Sequence, residues 1–175
     1  MTPTADDLSK AFCGEACTEL QQAAATIEHC LGQLNDAQIW WRPSESMNSI
    51  ANLMLHLCGN LRQWIISGIG GQDDVRDRPA EFSERGPLPR DALMSRLAAT
   101  IADAQAALTA ASAAALLQPR RIQAFDVTGM QAVFHSVAHF RGHTQEIVHL
   151  TRAQLGDDYK FAFVPATPEQ GAPSQ

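Results

Sequence analysis

His135, His139 and His143 recur at four-residue spacing in the segment Gln131–Leu155, and His56 stands alone in the other strongly helical apolar run of this 175-residue chain. An α-helix turns once in 3.6 residues, so His139 and His143 point the same way, and an imidazole from a facing helix would complete a three-histidine set. That is the minimum for an open divalent-metal centre. Catalytic zinc and its neighbours usually take three protein ligands and keep a position for water or substrate. His135 lies roughly 12 Å along the axis from His143 by helix rise, too far to share one ion comfortably, and is expected at a cavity mouth or hydrogen-bonded. His149 is off this face and His29 has no matching partner, so neither is given a role.

Glu146 is three residues from His143 and seven from His139, which places all three on about one helix face. Its spacing fits an acceptor behind a ligand or a general base, and equally a surface acid paired with a basic neighbour. Around His56, the residues Ser49, Asn52, Asn60 and Gln63 share one stripe. A solvated helix face is normally laced with charge, yet Arg62 is the only charged side chain from Ser46 to Gln72. An uncharged polar stripe suits a lined cavity, in which Asn52 and Asn60, one turn either side of His56, would orient the imidazole or meet a substrate.

Four long helical stretches must position these groups. The first covers about Asp6–Leu34, with Leu20, Ala24, Ile27 and Leu31 at three and four spacing. The second begins after a cap at Ser46 or Asn48 and runs to Ser67, with Ile50, Leu53, Met54, Leu57, Leu61, Trp64 and Ile65 as its apolar stripe. Gln72–Pro89 is charged and holds three prolines, which predicts a surface connection able to lie over a site entrance. An alanine-rich third stretch (Arg90–Leu117), a short extended piece (Arg120–Thr128) and the histidine helix (about Met130–Leu155) follow. The fold class predicted is all-α, a four-helix bundle with a short extended segment before the last helix. One domain over 1–156 and an extended or disordered tail over 157–175 are expected, YKFAFVP being the extended strip.

Several functions are excluded by composition. Net charge is −6 and the basic residues are scattered, so no cationic stripe is available to track phosphates and no nucleic-acid partner is expected. The N-terminus MTPTADDLSK lacks an apolar core, and no run is long and uncharged enough to span a bilayer, which predicts a cytoplasmic protein with no membrane partner. Cys13, Cys17, Cys30 and Cys58 fall within helical stretches and read as reduced thiols, with Cys13 and Cys17 a pair of buried small hydrophobes.

The segment PSESMNSIANLMLHLCGNLRQW is similar to the second-helix pattern of the DinB/YfiT-like family, with a cap, NSI, a single His and a Trp eight residues later. HFRGHTQEIVHLTRAQLG resembles that family's last-helix HxxxH element, and the likeness extends over Asp6–Gly156. The chain departs from the common pattern after the second histidine, where HTQE replaces HRGQ and puts Glu146 at the glutamine position. The resemblance implies an up-down-down-up bundle, a homodimer, and a zinc or nickel ion on His56, His139 and His143. The family includes S-transferases that use bacillithiol or mycothiol and a mycothiol-dependent maleylpyruvate isomerase.

A cation at three neutral ligands keeps its full charge to lower the pKa of a bound thiol. The expected activity is therefore a metal-dependent transfer of a low-molecular-weight thiol onto a small electrophilic substrate, with Asn60 and Glu146 positioning or accepting protons. Two alternatives stand beside it: a metal hydrolase using bound hydroxide, and a non-catalytic metal- or ligand-binding bundle of a stress-related kind.

Overall fold

The structure, a computed structural model, describes residues 2–86 and 88–164. It is mostly helical. Helix α1 (Ala5–Leu31) opens with a capping box in which the Thr4 side chain accepts from the Asp7 amide and the Asp7 carboxylate accepts from the Thr4 amide. A short α2 (Asp36–Trp40) leads to α3 (Ile50–Leu61), which carries His56. Its cap is Ser49, one residue beyond Asn48, and Asn52 completes the capping box. Every residue of α3 is buried, including Asn52, His56 and Asn60, because α5, α4 and α7 pack around it. The uncharged stripe therefore faces the interior, as its lack of charge implied.

α3 continues into a π-helical turn over Arg62–Ser67, where the Gly68 amide bonds Gln63 O and the Gly70 amide bonds Ile65 O. Such widened turns are uncommon and concentrate at functional sites. The connection that follows is not a plain surface loop. It contains α4 (Arg78–Ser83), capped by Asp77, and carries one acid, Glu81, into the interior.

The expected third helix is interrupted. α5 (Arg90–Ala110) ends at Ala111, and Ser112 caps a separate short α6 (Ala113–Leu117), since its hydroxyl takes the Ala115 amide in place of a continuing helical carbonyl. The extended piece is a two-stranded antiparallel hairpin, β1 (Pro119–Ile122) and β2 (Phe125–Thr128), closed by the two-residue turn Gln123–Ala124 at φ 52° and 68°. Positive φ at both central residues is the hairpin geometry that matches strand twist. The Arg120 guanidinium anchors the hairpin to the carbonyls of Gly68 and Ala115, and Ile122 packs with Trp64 and Ala132.

α7 (Gly129–Leu155) carries the remaining site histidines and packs along α1, which also packs on α5. Leu20 and Ile27 of α1, Leu53 and Leu57 of α3, Leu97 of α5, and Phe140 and Ile147 of α7 form one continuous core. The first residues of the predicted tail form a 3-10 turn (Gly156–Asp158), after which His29 and Gln33 hold the Lys160 carbonyl at the end of α1. The tail beyond residue 164 lies outside the described residues. Among the described residues no helix is long and apolar enough to cross a membrane.

Candidate metal centre

α3 and α7 bring His56, His139 and His143 together, with one ligand nitrogen of each within 4.8 Å of the others. The ring centroids lie 4.9 Å apart for His56 and His139, 4.6 Å for His139 and His143, and 5.2 Å for His56 and His143. Nε2 of His56 and Nε2 of His139 are 3.1 Å apart. Two nitrogens each about 2.0–2.1 Å from a tetrahedral ion sit roughly 3.3 Å apart, so the His56–His139 pair is already close to a ligating separation.

The proton arrangement around His56 follows from its neighbours. His56 Nδ1 is 2.8 Å from Glu81 Oε2 and 3.1 Å from the Arg76 guanidinium. One nitrogen cannot donate to a carboxylate and accept from a guanidinium at once, and the carboxylate is the nearer and charged partner. Nδ1–H therefore donates to Glu81, which turns the Nε2 lone pair toward His139. On α7, His143 Nδ1 donates to Glu146 Oε2 at 2.7 Å. Each of these two imidazoles thus has the carboxylate backing that fixes the tautomer of metal-ligating histidines. His139 has none: its Nδ1 is buried with no hydrogen-bond partner.

Electrostatics keep the cluster available to a cation. Burial, then the charges that His143, His56, His135 and Arg76 would add, push His139 down to about 3, so it stays neutral at any ordinary pH. With Nδ1 protonated on His56, its Nε2 lone pair faces His139 Nε2 at 3.1 Å, and a divalent ion would take both lone pairs once His139 carries its own proton on Nδ1. Glu81 is opposed by burial but held below the usual carboxylate range by its bonds to Arg76 and His56. The Arg76 guanidinium meets both Glu81 oxygens, at 2.7 and 2.9 Å, and the two side chains are only 2% and 7% exposed. Arg76 also donates to Gln63, and Gln63 to Asp74, which ties this pair to the π-helical turn. Three imidazoles, two with carboxylates behind them, fit a divalent ion.

Glu81 and Arg76 reach His56 because residue 59 has no side chain. A Cβ on Gly59 would lie 2.7 Å from Glu81 Cδ and 3.0 Å from Arg76 Nε, and nearer still to a carboxylate oxygen. His56 and His139 of the cluster line an open cleft of about 350 Å³, together with Asn60, Trp64, Arg78, Phe125 and His135.

A family described as a protein of unknown function, DUF1572, matches residues 7–167. The chain belongs to that family. This DUF1572 chain also resembles a solved structure of a conserved protein from Enterococcus faecalis, at 19% identity and TM-score 0.70 over 82% of this chain and 96% of that one, which shows a shared fold. No curated protein matches it.

In the DUF1572 chain the residues singled out from sequence fall into distinct places. Asn60 lines the cleft, but its side-chain oxygen accepts from Ser136 Oγ at 2.8 Å and so ties α3 to α7 without meeting an imidazole. Asn52 does not orient His56: it caps α3, accepts from Arg42 at 2.5 Å and donates to the Glu81 and Glu84 carbonyls. Glu146 is on His143. His135 stands at the cleft wall with its ring 4.2 Å from that of Trp64, centroid to centroid. Arg76, Glu81 and Gly59 escaped the sequence reading. The only hint of them was a charged connection placed beside a helix that lacks acids of its own.

Proposed function

We propose that this protein is a metal-dependent enzyme of the DinB/YfiT-like kind, an up-down-down-up four-helix bundle holding zinc or nickel on His56, His139 and His143. Its reaction is the transfer of a low-molecular-weight thiol onto a small electrophilic substrate. The observation that supports this reading is that three imidazoles converge, two of them lining an open cleft, with no fourth His, Cys, Asp or Glu completing the group among the described residues. Structural zinc sites are closed by four protein ligands, whereas catalytic ones keep a position free.

The ion, when bound, supplies positive charge that stabilises a thiolate at neutral pH. The chain supplies the rest. Glu81 and Glu146 hold the Nδ1 protons of His56 and His143 and so aim both Nε2 lone pairs inward. Arg76 keeps Glu81 ionised, and Asn60 and Ser136 lock the facing helices at the height of the cluster. Among the described residues no acid lines the cleft, which favours an anionic nucleophile there over a cationic one. Glu146 is engaged with His143, so its role is to hold that ring. A cytoplasmic homodimer acting on a small molecule completes the reading.

Elemental analysis of untagged protein tests it. About one zinc or nickel per chain in the parent, lost in His56→Ala with helical content retained, is the expected result for a three-ligand site. Loaded protein then consumes a thiol in the presence of an electrophile. A parent that takes up no ion after incubation with divalent metals overturns the proposal.

A further inference from the structure

The charges around the cleft are unevenly matched. Among the acids near its mouth, Asp74 accepts from Gln63 and the Arg76 amide, Asp77 accepts from the Ala80 amide at 3.1 Å to cap α4, and Glu81 is taken by Arg76 and His56. Arg76 is thereby neutralised. Arg78 is not: among the described residues no carboxylate lies within 4.0 Å of it, and its guanidinium rests over the Phe82 ring at 4.9 Å. In a chain of net charge −6 the cleft thus presents one uncompensated guanidinium and no acid.

The same cleft also has aromatic lining. Trp64 sits beneath His135, and Phe125 lies with its ring centroid 6.3 Å from that of Trp64. Phe125 is 60% exposed at the cleft rim, where water is a poor environment for it. It follows the Gln123–Ala124 turn, two adjacent non-glycine residues at positive φ, and backbone strain of this kind persists where the surrounding structure over-determines it, often at ligand sites. A cleft of about 350 Å³ is within the range of small-ligand pockets.

We propose that this cleft binds an aromatic carboxylate, the carboxylate on the Arg78 guanidinium and the ring against Phe125 and the Trp64–His135 wall. The inference rests on reading the cleft as the substrate side of the histidine cluster, and names the recognition groups, a carboxylate and an aromatic ring, that a substrate of that site would carry. The planar guanidinium matches a carboxylate in two parallel hydrogen bonds. The ring removes exposed apolar surface at Phe125 from water.

Titration of metal-free protein with 4-fluorobenzoate, followed by the ligand's fluorine resonance, tests the proposal without calling on the metal. The parent is expected to bind in the millimolar range or tighter, with neutral 4-fluorobenzamide at least about tenfold weaker, the scale of one lost charge-assisted contact. Arg78→Ala is expected to lose about as much. Phe125→Ser, which leaves α4 untouched, weakens the aromatic acid while leaving acetate unchanged, and cyclohexanecarboxylate competes less well than benzoate. Equal binding of acid and amide, or Arg78→Ala and Phe125→Ser both binding benzoate as the parent does, overturns the proposal. Stoichiometric metal with no benzoate binding refutes this inference alone; benzoate binding without metal uptake refutes the metal reading alone.

Discussion

Gly59→Ala separates a helix-propensity effect from a site effect by the sign of the change. Alanine in place of glycine inside a helix ordinarily stabilises by about 1 kcal/mol. At position 59 the added methyl would stand 2.7 Å from Glu81 Cδ, where ordinary carbon contacts are about 3.5–4.0 Å. Glu81 must withdraw by roughly an ångström, which breaks its 2.8 Å bond to His56 and loosens its grip on Arg76. Separating a buried ion pair costs about 3–5 kcal/mol, so the net expectation is destabilisation by about 2–4 kcal/mol. Loss of the carboxylate behind His56 lowers metal affinity by about 10–100-fold. Urea unfolding of the metal-free protein and competition against a chromophoric chelator measure the two effects. Gly14→Ala is the internal control, since nothing lies within 4 Å of its added methyl and it should gain the helix-propensity increment. A Gly59→Ala protein as stable as the parent, binding metal as tightly, would refute the reasoning.

Glu81→Gln should cost about 3 kcal/mol in urea, because it leaves the buried Arg76 uncompensated, whereas Glu146→Gln, whose side chain is 40% exposed, should cost under about 1 kcal/mol; equal costs would show that burial does not set the difference. His139 stays neutral in the fold down to about 3 while its free value is 6.5, so below pH 6.5 the unfolded chain takes up the proton first. Metal-free protein should hold this stability above that pH and lose it on acidification at up to about 1.4 kcal/mol per pH unit, and His139→Gln should flatten the slope between pH 6.5 and 5. Glu81, held below the usual range, contributes stability present above its free value of 4.5 and lost in stronger acid, which His139→Gln retains. Ala124→Gly should raise the melting temperature, equivalent to about 1 kcal/mol, because glycine adopts φ 68° without strain; a fall would mean that the alanine methyl is needed at the hairpin tip.

The helices that carry the imidazoles were legible because their signals are local. His139 and His143 lie one turn apart, and the missing charge around His56 betrays a buried face even without a partner in view. The short extended piece before α7 was readable from β-branched and aromatic residues near Thr128, although its closure by Gln123–Ala124 carries no Asn-Gly signature. Glu81 was not legible. A glutamate among the eight charged residues of Gln72–Pro89 looks solvated unless one knows that it opposes a glycine on the neighbouring α3. Asn52 misled for a related reason: one-turn spacing from His56 is a necessary condition for contact, but the nearby Ser49 amide and hydroxyl capture its side chain first. The break at Ser112 was hidden by alanines on both sides, which favour helix whichever way the chain turns.

Unequal support among the three imidazoles bears on how an ion would come and go. Two rings are pinned by carboxylates, while His139 has a buried, unmatched Nδ1 and is held only through its Nε2, 3.1 Å from Nε2 of His56. His139 would then be the ligand whose orientation the surrounding chain fixes least, and the one an ion itself would have to set. An acceptor placed within reach of His139 Nδ1 would orient the third ring before an ion arrives, and metal affinity should rise in the same chelator competition.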